Sequence, residues 1–157
     1  MKNIALFIGI PLLVVGLLAW GRASKGNAPL AMVPGTNVAC LPNGHQQLDL
    51  HIHPLLSISV DGEEEAIPAN IGITSTCMAE IHTHDASGQL HVETTSQERF
   101  EQIAFKDFFD VWEMPLEREG YSLQIRYEGN IVDDVSEVLL TDLAHIELMY
   151  TSQGNAS

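Results

Sequence analysis

Five of the seven histidines in this 157-residue sequence fall within residues 51–91. They form two His-x-His pairs, His51 with His53 and His82 with His84, followed by His91. Residues i and i+2 of a β-strand point to the same face with Cα atoms roughly 6.5 to 7 Å apart, so each pair can aim two imidazoles at one point. Because imidazole nitrogens bind both Zn²⁺ and Cu²⁺, the spacing predicts a transition-metal site, copper or zinc, formed by these five side chains.

Other polar residues near these histidines bear on the predicted site. Glu80, Asp85 and Glu93 supply carboxylates that can act as ligands or orient the ring N–H groups of the ligands. His45, beside an Asn-Gly turn, and His145, in an apolar late segment, are left out of the predicted site. The alternative is that the histidines are structural, as single histidines on strands usually are.

Motifs of known enzyme classes do not match the chain. The segment HTHDASGQLH (82–91) lacks the helical His spacing of zincins and the ligand order of metallo-β-lactamases. Cys77 and His82 fit a blue-copper site only loosely, since the next methionine is Met114. No catalytic residue is assigned, and a binding module is favoured over a metalloenzyme in which Glu93 or Asp85 acts as base.

The elements that must position the histidines are mostly strands. Alternating apolar residues from 48 to 60 run into Asp61-Gly62 and predict a hairpin at that turn. Aromatic residues spaced by three and four predict one short helix over 105–113, which Pro115 ends. The predicted fold is therefore mainly β, a small antiparallel sheet domain with one short helix. The further predicted strands are 79–84, 89–94 (across a Ser-Gly turn), 121–127 and 144–150.

The two cysteines, Cys40 and Cys77, predict a disulfide that closes a loop of 38 residues. On the chain-entropy argument, such a closure stabilises the fold by about 4 kcal/mol. Two unpaired thiols in the core are the alternative.

The apolar run over residues 4–20 follows Lys2 and carries no charge. Its 17 residues lie between a secretory h-region and a full membrane span, and we interpret it as an uncleaved signal-anchor, with cleavage or a buried core helix as alternatives. The predicted organisation is a cytoplasmic start (1–3), the transmembrane segment (4–20), a flexible linker (21–39), a His-rich β domain (40–150) and a disordered tail (151–157). The expected disulfide places the domain on the periplasmic or extracellular side.

Charge narrows the possible partners. All 21 acidic residues follow residue 48, and only four basic residues follow residue 25, so residues 26–157 carry a formal charge of −17. Nucleic acids and anionic lipid headgroups are bound through Lys and Arg clusters, which this part of the chain lacks. The predicted contact with a membrane is therefore through the N-terminal helix alone.

The sequence also resembles a known family. The pattern H-x-H at 51–53, Cys77, HTHD-x-x-G-x-x-H-x-E over 82–93 and the aromatic residues at 108–112 is similar to a family of uncharacterised exported or membrane-anchored bacterial and archaeal domains. The resemblance covers about residues 38–150 and implies an exported setting, without an activity. Where the family has Gly after Trp112 this chain has Glu113, so the resemblance predicts nothing about the loop that follows the helix.

Three functions follow as expectations. The first is a membrane-anchored module that binds copper or zinc. The second is an accessory subunit of a larger membrane protein complex, in which the histidines are structural. The third is a metalloenzyme.

Overall fold

The structure of the protein, a computed structural model, describes residues 29–154. The predicted transmembrane segment (4–20), the first part of the predicted linker (21–28) and the last residues of the predicted tail (155–157) lie outside the described residues. Within the described part, no helix is both long and apolar enough to cross a membrane.

β-Strands in two sheets make up most of the regular structure, and the predicted mainly β class is confirmed. The helical content of the described residues is two short helices and one 3-10 turn. In chain order the elements are β1 (Leu50–Ile52), β2 (Leu55–Val60), β3 (Glu63–Glu65), β4 (Ile81–His82), β5 (His91–Thr94), α1 (Gln97–Phe100), α2 (Asp107–Trp112), β6 (Tyr121–Tyr127), β7 (Asn130–Val132), the 3-10 turn (Val135–Glu137) and β8 (His145–Ser152).

The larger sheet has five strands in the order β3-β2-β8-β6-β7. The prediction of a purely antiparallel sheet is wrong here, because β2 and β8 run parallel over the pairs from Leu55↔His145 to Val60↔Tyr150. Residues 61–144, which lie between these two strands in the sequence, form the crossover connection that a parallel pair requires. An alternating pattern reports which face of a strand is buried but not the direction of its neighbour, so the sequence could not show this pairing.

The smaller sheet, which carries the histidines, is antiparallel with the order β1-β5-β4. The predicted strands on either side of the Ser-Gly turn are confirmed, although β4 is shorter than predicted. Thr83 ends β4 because its backbone N–H donates to the carbonyl of Ile71 and its hydroxyl to that of Pro68. These bonds turn the chain away from the sheet just after His82.

Pro54 divides the predicted strand over residues 48–60 between the two sheets. Proline has no backbone N–H for a sheet ladder, so the run breaks into β1 in the small sheet and β2 in the large one. The hairpin predicted at Asp61-Gly62 is confirmed as the β2–β3 pair. The N–H of Leu90 donates to the carbonyl of Pro54, and that of Leu56 to Gly88, which fixes the two sheets together.

One hydrophobic core joins both sheets and α2. The inner face of the large sheet contributes alternate residues of β2 and β8, and the small sheet contributes the apolar face of β4 and β5. The largest core side chains that are almost fully buried are Ile58, Ile81, Leu90, Phe105, Phe108, Ile146, Leu148 and Tyr150. The predicted aromatic stripe at 105–112 thus packs mainly into the core.

The prediction of a single helix over 105–113 needs two corrections. The helix itself is shorter, Asp107–Trp112, and ends at Glu113 in the left-handed conformation (φ 59°, ψ 28°). A second helix, α1, was not predicted because one turn is too short to show helical periodicity. Its visible sequence signal is Ser96, whose hydroxyl caps the helix by accepting from the N–H of Arg99.

The predicted disulfide between Cys40 and Cys77 is confirmed, with Cα atoms 5.1 Å apart. The same region holds backbone pairs between Cys40 and Ala79 and between Met32 and Ala39. Val38 and Ala39 are fully buried, so the residues just before Cys40 pack as part of the core. The disulfide therefore ties the segment before β1 to the residues that lead into β4.

Candidate metal centre

Strand register places four of the polar residues on one face of the small sheet. His51 lies opposite Glu93, and His82 lies opposite His91. Directly opposed residues of an antiparallel pair share a face, and His91 and Glu93 share it because they are two residues apart. The other face carries the apolar residues Ile81 and Val92, which are fully buried in the core.

The second histidine of each His-x-His pair continues past its strand and still joins this group. The ring centre of His53 is 4.4 Å from that of His51 and 4.7 Å from that of His91. The ring centre of His84 is 4.8 Å from that of His82 and 4.5 Å from that of His91. The structure thus brings all five histidines of the predicted site together.

A sixth histidine, His45, reaches the same group from the loop before β1. Its Nδ1 is 2.9 Å from both carboxylate oxygens of Glu93, and its ring centre is 5.0 Å from that of His84. His45 was left out of the predicted site because it lies beside the Asn43-Gly44 turn, and its spacing to the other histidines carries no pattern. The only available signal was its place shortly after Cys40, which the disulfide ties close to the start of β4. We call the six histidines and Glu93 the histidine cluster: His45, His51, His53, His82, His84, His91 and Glu93.

The other candidate residues lie elsewhere. His145 is exposed on β8 and belongs to none of the candidate ligand groups found among residues 29–154. Glu80 is fully buried but binds the guanidinium of Arg99 and accepts the N–H of Ala39 at 2.8 Å. Asp85 is exposed and caps the turn between β4 and β5 by accepting from the N–H of Ser87. Of the three predicted carboxylates, Glu93 is the one in direct contact with cluster histidines, at 2.9 Å from both His45 and His51. A further carboxylate, that of Asp142, lies 3.5 Å from Nδ1 of His53 at the edge of the cluster.

Candidate ligand atoms in the cluster are spaced as in a metal site. Three groups have ligand atoms that all lie within 4.8 Å of one another: His45 with His82 and His84, His51 with His53 and His91, and His82 with His91 and Glu93. Nε2 of His82 is 3.2 Å from Nε2 of His84, and Nε2 of His51 is 3.2 Å from Nδ1 of His91. Two nitrogens bound tetrahedrally to one Zn²⁺ lie about 3.3 Å apart, given Zn–N bonds of about 2.0 to 2.1 Å.

The ring of His82 is oriented by the backbone. Its Nδ1 is 2.8 Å from the carbonyl oxygen of Ala79, which can only accept, so Nδ1 carries the proton and Nε2 presents its lone pair. Burial lowers the pKa of His82 to about 4, since the charged ring would lose its hydration. The fully buried ring is therefore neutral at ordinary pH, which is the form that binds metal.

His91 and Glu93 occupy the centre of the cluster on β5. Burial, with a further contribution from His84, lowers the pKa of His91 to about 4, so this ring is also neutral at ordinary pH. Glu93 is fully buried, with its Oε1 2.9 Å from Nε2 of His51 and 3.6 Å from Nδ1 of His91. A buried carboxylate surrounded by imidazoles favours a cation beside it.

The chain was compared with protein-family models, with curated proteins and with solved structures, and none of them matches it. The resemblance noted from the sequence motifs therefore stays an expectation. The arrangement of the cluster itself indicates the chemistry: up to six imidazoles and one carboxylate converge on a single sheet face. Such a set can hold transition-metal ions.

Proposed function

We propose that this protein is a metal-binding module that holds copper or zinc in the histidine cluster. The observation that carries the proposal is the shared face of the small sheet, where His82 and His91 are kept neutral by burial beside the buried carboxylate of Glu93. Neutral imidazoles at ligand spacing are the form of histidine that transition metals bind.

The ligand types support Zn²⁺ or Cu²⁺ over Mg²⁺, Ca²⁺ and Cu⁺. Mg²⁺ and Ca²⁺ prefer oxygen ligands, and this cluster offers mainly nitrogen. Sites that select Cu⁺ rely on thiolate or thioether sulfur, whereas Cys40 and Cys77 are joined in a disulfide. Imidazole nitrogen, which the cluster offers six times, is a good ligand for both Zn²⁺ and Cu²⁺.

We further propose that the domain works outside the cytoplasm, anchored by residues 4–20. The support is the uncharged apolar run in the sequence and the disulfide, because disulfides persist in oxidising compartments and are rare in the cytosol. The expected setting is a periplasmic or extracellular membrane surface.

Metal titration of the full-length chain, purified without a histidine tag or a metal column, tests this function. We expect uptake of Zn²⁺ and Cu²⁺ at neutral pH, in competition with a chelator of known affinity. His84→Ala should lower the affinity at least about tenfold, the range seen when a contact that supports a metal site is lost. His145→Ala, the matched change outside the cluster, should leave the affinity unchanged.

Two results would contradict the proposal. One is that the folded protein takes up neither ion at neutral pH. The other is that His84→Ala and His145→Ala have the same effect on affinity. That result would favour the alternative, an accessory subunit in which the histidines are structural.

A further inference from the structure

The histidine cluster contains more ligands than one ion can use. A zinc ion in a protein takes four ligands in a structural site and three in an open site, whereas the cluster offers seven side chains. Two of the ligand groups share no residue. We call them the first triad, His45, His82 and His84, and the second triad, His51, His53 and His91.

We propose that the cluster binds two ions side by side, one in each triad, with Glu93 between them. This inference rests on the proposed function and adds the number of ions and the division of the ligands. Each triad contains one nitrogen pair at 3.2 Å, formed by His82 and His84 in the first and by His51 and His91 in the second. Each triad is therefore spaced for an ion of its own.

Glu93 contacts both triads. Its carboxylate lies 2.9 Å from Nδ1 of His45 in the first triad and 2.9 Å from Nε2 of His51 in the second. Two adjacent dications repel each other, and a fully buried carboxylate between them lowers that repulsion. In the first triad the contact of Nδ1 of His45 with Glu93 leaves Nε2 of that ring for an ion, as in carboxylate–histidine–zinc arrangements. In the second triad Nε2 of His51 faces both Glu93 and His91, so Glu93 would itself be a ligand of that ion.

Each triad also has its own access to solvent. His45 is exposed in the first triad and His51 in the second, while His82 and Glu93 lie beneath them. Each triad therefore has a ring that an ion in solution can reach. The ring centres of His84 and His91, one from each triad, are only 4.5 Å apart, so the two sites adjoin.

A single central ion is the competing arrangement. The third ligand group, His82 with His91 and Glu93, takes one histidine from each triad. An ion held there would use these two rings and leave the other four histidines without a ligand role. The two arrangements differ in stoichiometry and in which variants lose metal.

Native mass spectrometry of the full-length chain loaded with Zn²⁺ separates them. We expect two zinc ions per chain for the unmodified protein and for the control His145→Ala. His45→Ala combined with His84→Ala should retain one ion, and His51→Ala combined with His53→Ala should also retain one. These pairs avoid the fully buried His82 and Glu93, and circular dichroism checks that each variant is folded.

The unmodified protein alone decides the main point, even where a variant fails to fold. Saturation at one zinc ion per chain would overturn the two-ion arrangement and leave the proposed function standing. Two ions in the unmodified protein with none in either folded double variant would overturn the division into triads. Binding of no zinc at all would overturn the two-ion arrangement as well, and failure to bind Cu²⁺ in the same experiment would contradict the proposed function itself.

Discussion

At the scale of single residues, burial sets the protonation of the cluster. His82 and His91 each have a pKa lowered to about 4, first of all because burial penalises the charged ring. Sequence reasoning alone would place the loss of metal binding near the ordinary imidazole pKa of about 6.5. In the structure these two central rings stay neutral well below that pH.

The lowered pKa of His82 predicts how the stability of the metal-free protein depends on pH. Between pH 6.5 and about 4 the unfolded chain binds a proton at this residue and the folded chain does not, so stability is highest above pH 6.5 and falls as the pH falls. By pH 5 the loss that His82 causes should reach about 2 kcal/mol, because one pKa unit corresponds to about 1.4 kcal/mol. Urea unfolding at pH 7.5, 6 and 5 measures it.

A variant at His82 distinguishes its effect on the pH dependence of stability from the effect of the acidic residues. His82→Asn keeps a side-chain N–H that can reach the carbonyl of Ala79 but does not titrate in this range. It should lose less stability between pH 7.5 and 5 than the parent, whereas His145→Asn should match the parent. Equal pH dependence for the parent and His82→Asn would show that His82 is not held neutral by the fold.

At the scale of elements, the turn between β4 and β5 holds the two strands that carry His82 and His91. Gly88 lies in this turn with φ 77°, and a Cβ placed there would be 2.1 Å from the carbonyl oxygen of Leu56. Since the clash is with backbone, Gly88→Ala should destabilise the fold by on the order of 3 kcal/mol or more. Thermal or urea unfolding gives the loss.

Gly129 provides the matched control. It has the same φ of 77°, in the β6–β7 turn, but nothing lies within 4 Å of an added Cβ. Gly129→Ala should therefore cost only the strain of the left-handed backbone, about 1 to 2 kcal/mol. If both changes cost the same, the close approach between Gly88 and Leu56 is not part of the fold.

The end of α2 offers a stabilising change. Glu113 adopts the left-handed conformation at the helix C-terminus, where glycine is favoured. Glu113→Gly should raise the free energy of unfolding by about 0.5 to 1 kcal/mol, because removal of the strain outweighs the added freedom of the unfolded chain. Unfolding curves that show a loss of stability would mean that the Glu113 side chain makes a contact whose stabilising effect exceeds the backbone strain.

The sequence predicted those parts of the site that depend on local spacing. The two His-x-His pairs and His91 could be found because period 2 fixes which side chains share a face. His45 could not be found, since its place depends on the disulfide and on the fold of the loop before β1. The parallel β2–β8 pair was missed for a similar reason, because it joins two strands that are far apart in the sequence.

At the scale of the whole molecule, the disulfide closes a loop of 38 residues that contains β1, β2 and β3. Replacement of both Cys40 and Cys77 by alanine should lower the free energy of unfolding by about 4 kcal/mol, since the unfolded chain regains the freedom of a 38-residue loop. Urea unfolding of the metal-free variant measures this. A loss below about 1 kcal/mol would show that other contacts already restrict the loop in the unfolded state.

The same variant tests whether metal binding depends on the disulfide. Neither cysteine is among the candidate ligands of the described residues, so the folded variant should still bind zinc at neutral pH. A folded variant that has lost zinc binding would show that the disulfide is needed to hold His45 and β4 together in the metal-binding arrangement.

X-ray absorption of the zinc-loaded, full-length protein at the metal edge tests the central claim most directly. The histidine cluster predicts nitrogen ligands at about 2.0 to 2.1 Å with the outer-shell scattering of several imidazole rings around each ion. Bound zinc surrounded only by oxygen, or with a single imidazole, would contradict the assignment of the histidine cluster as the metal centre.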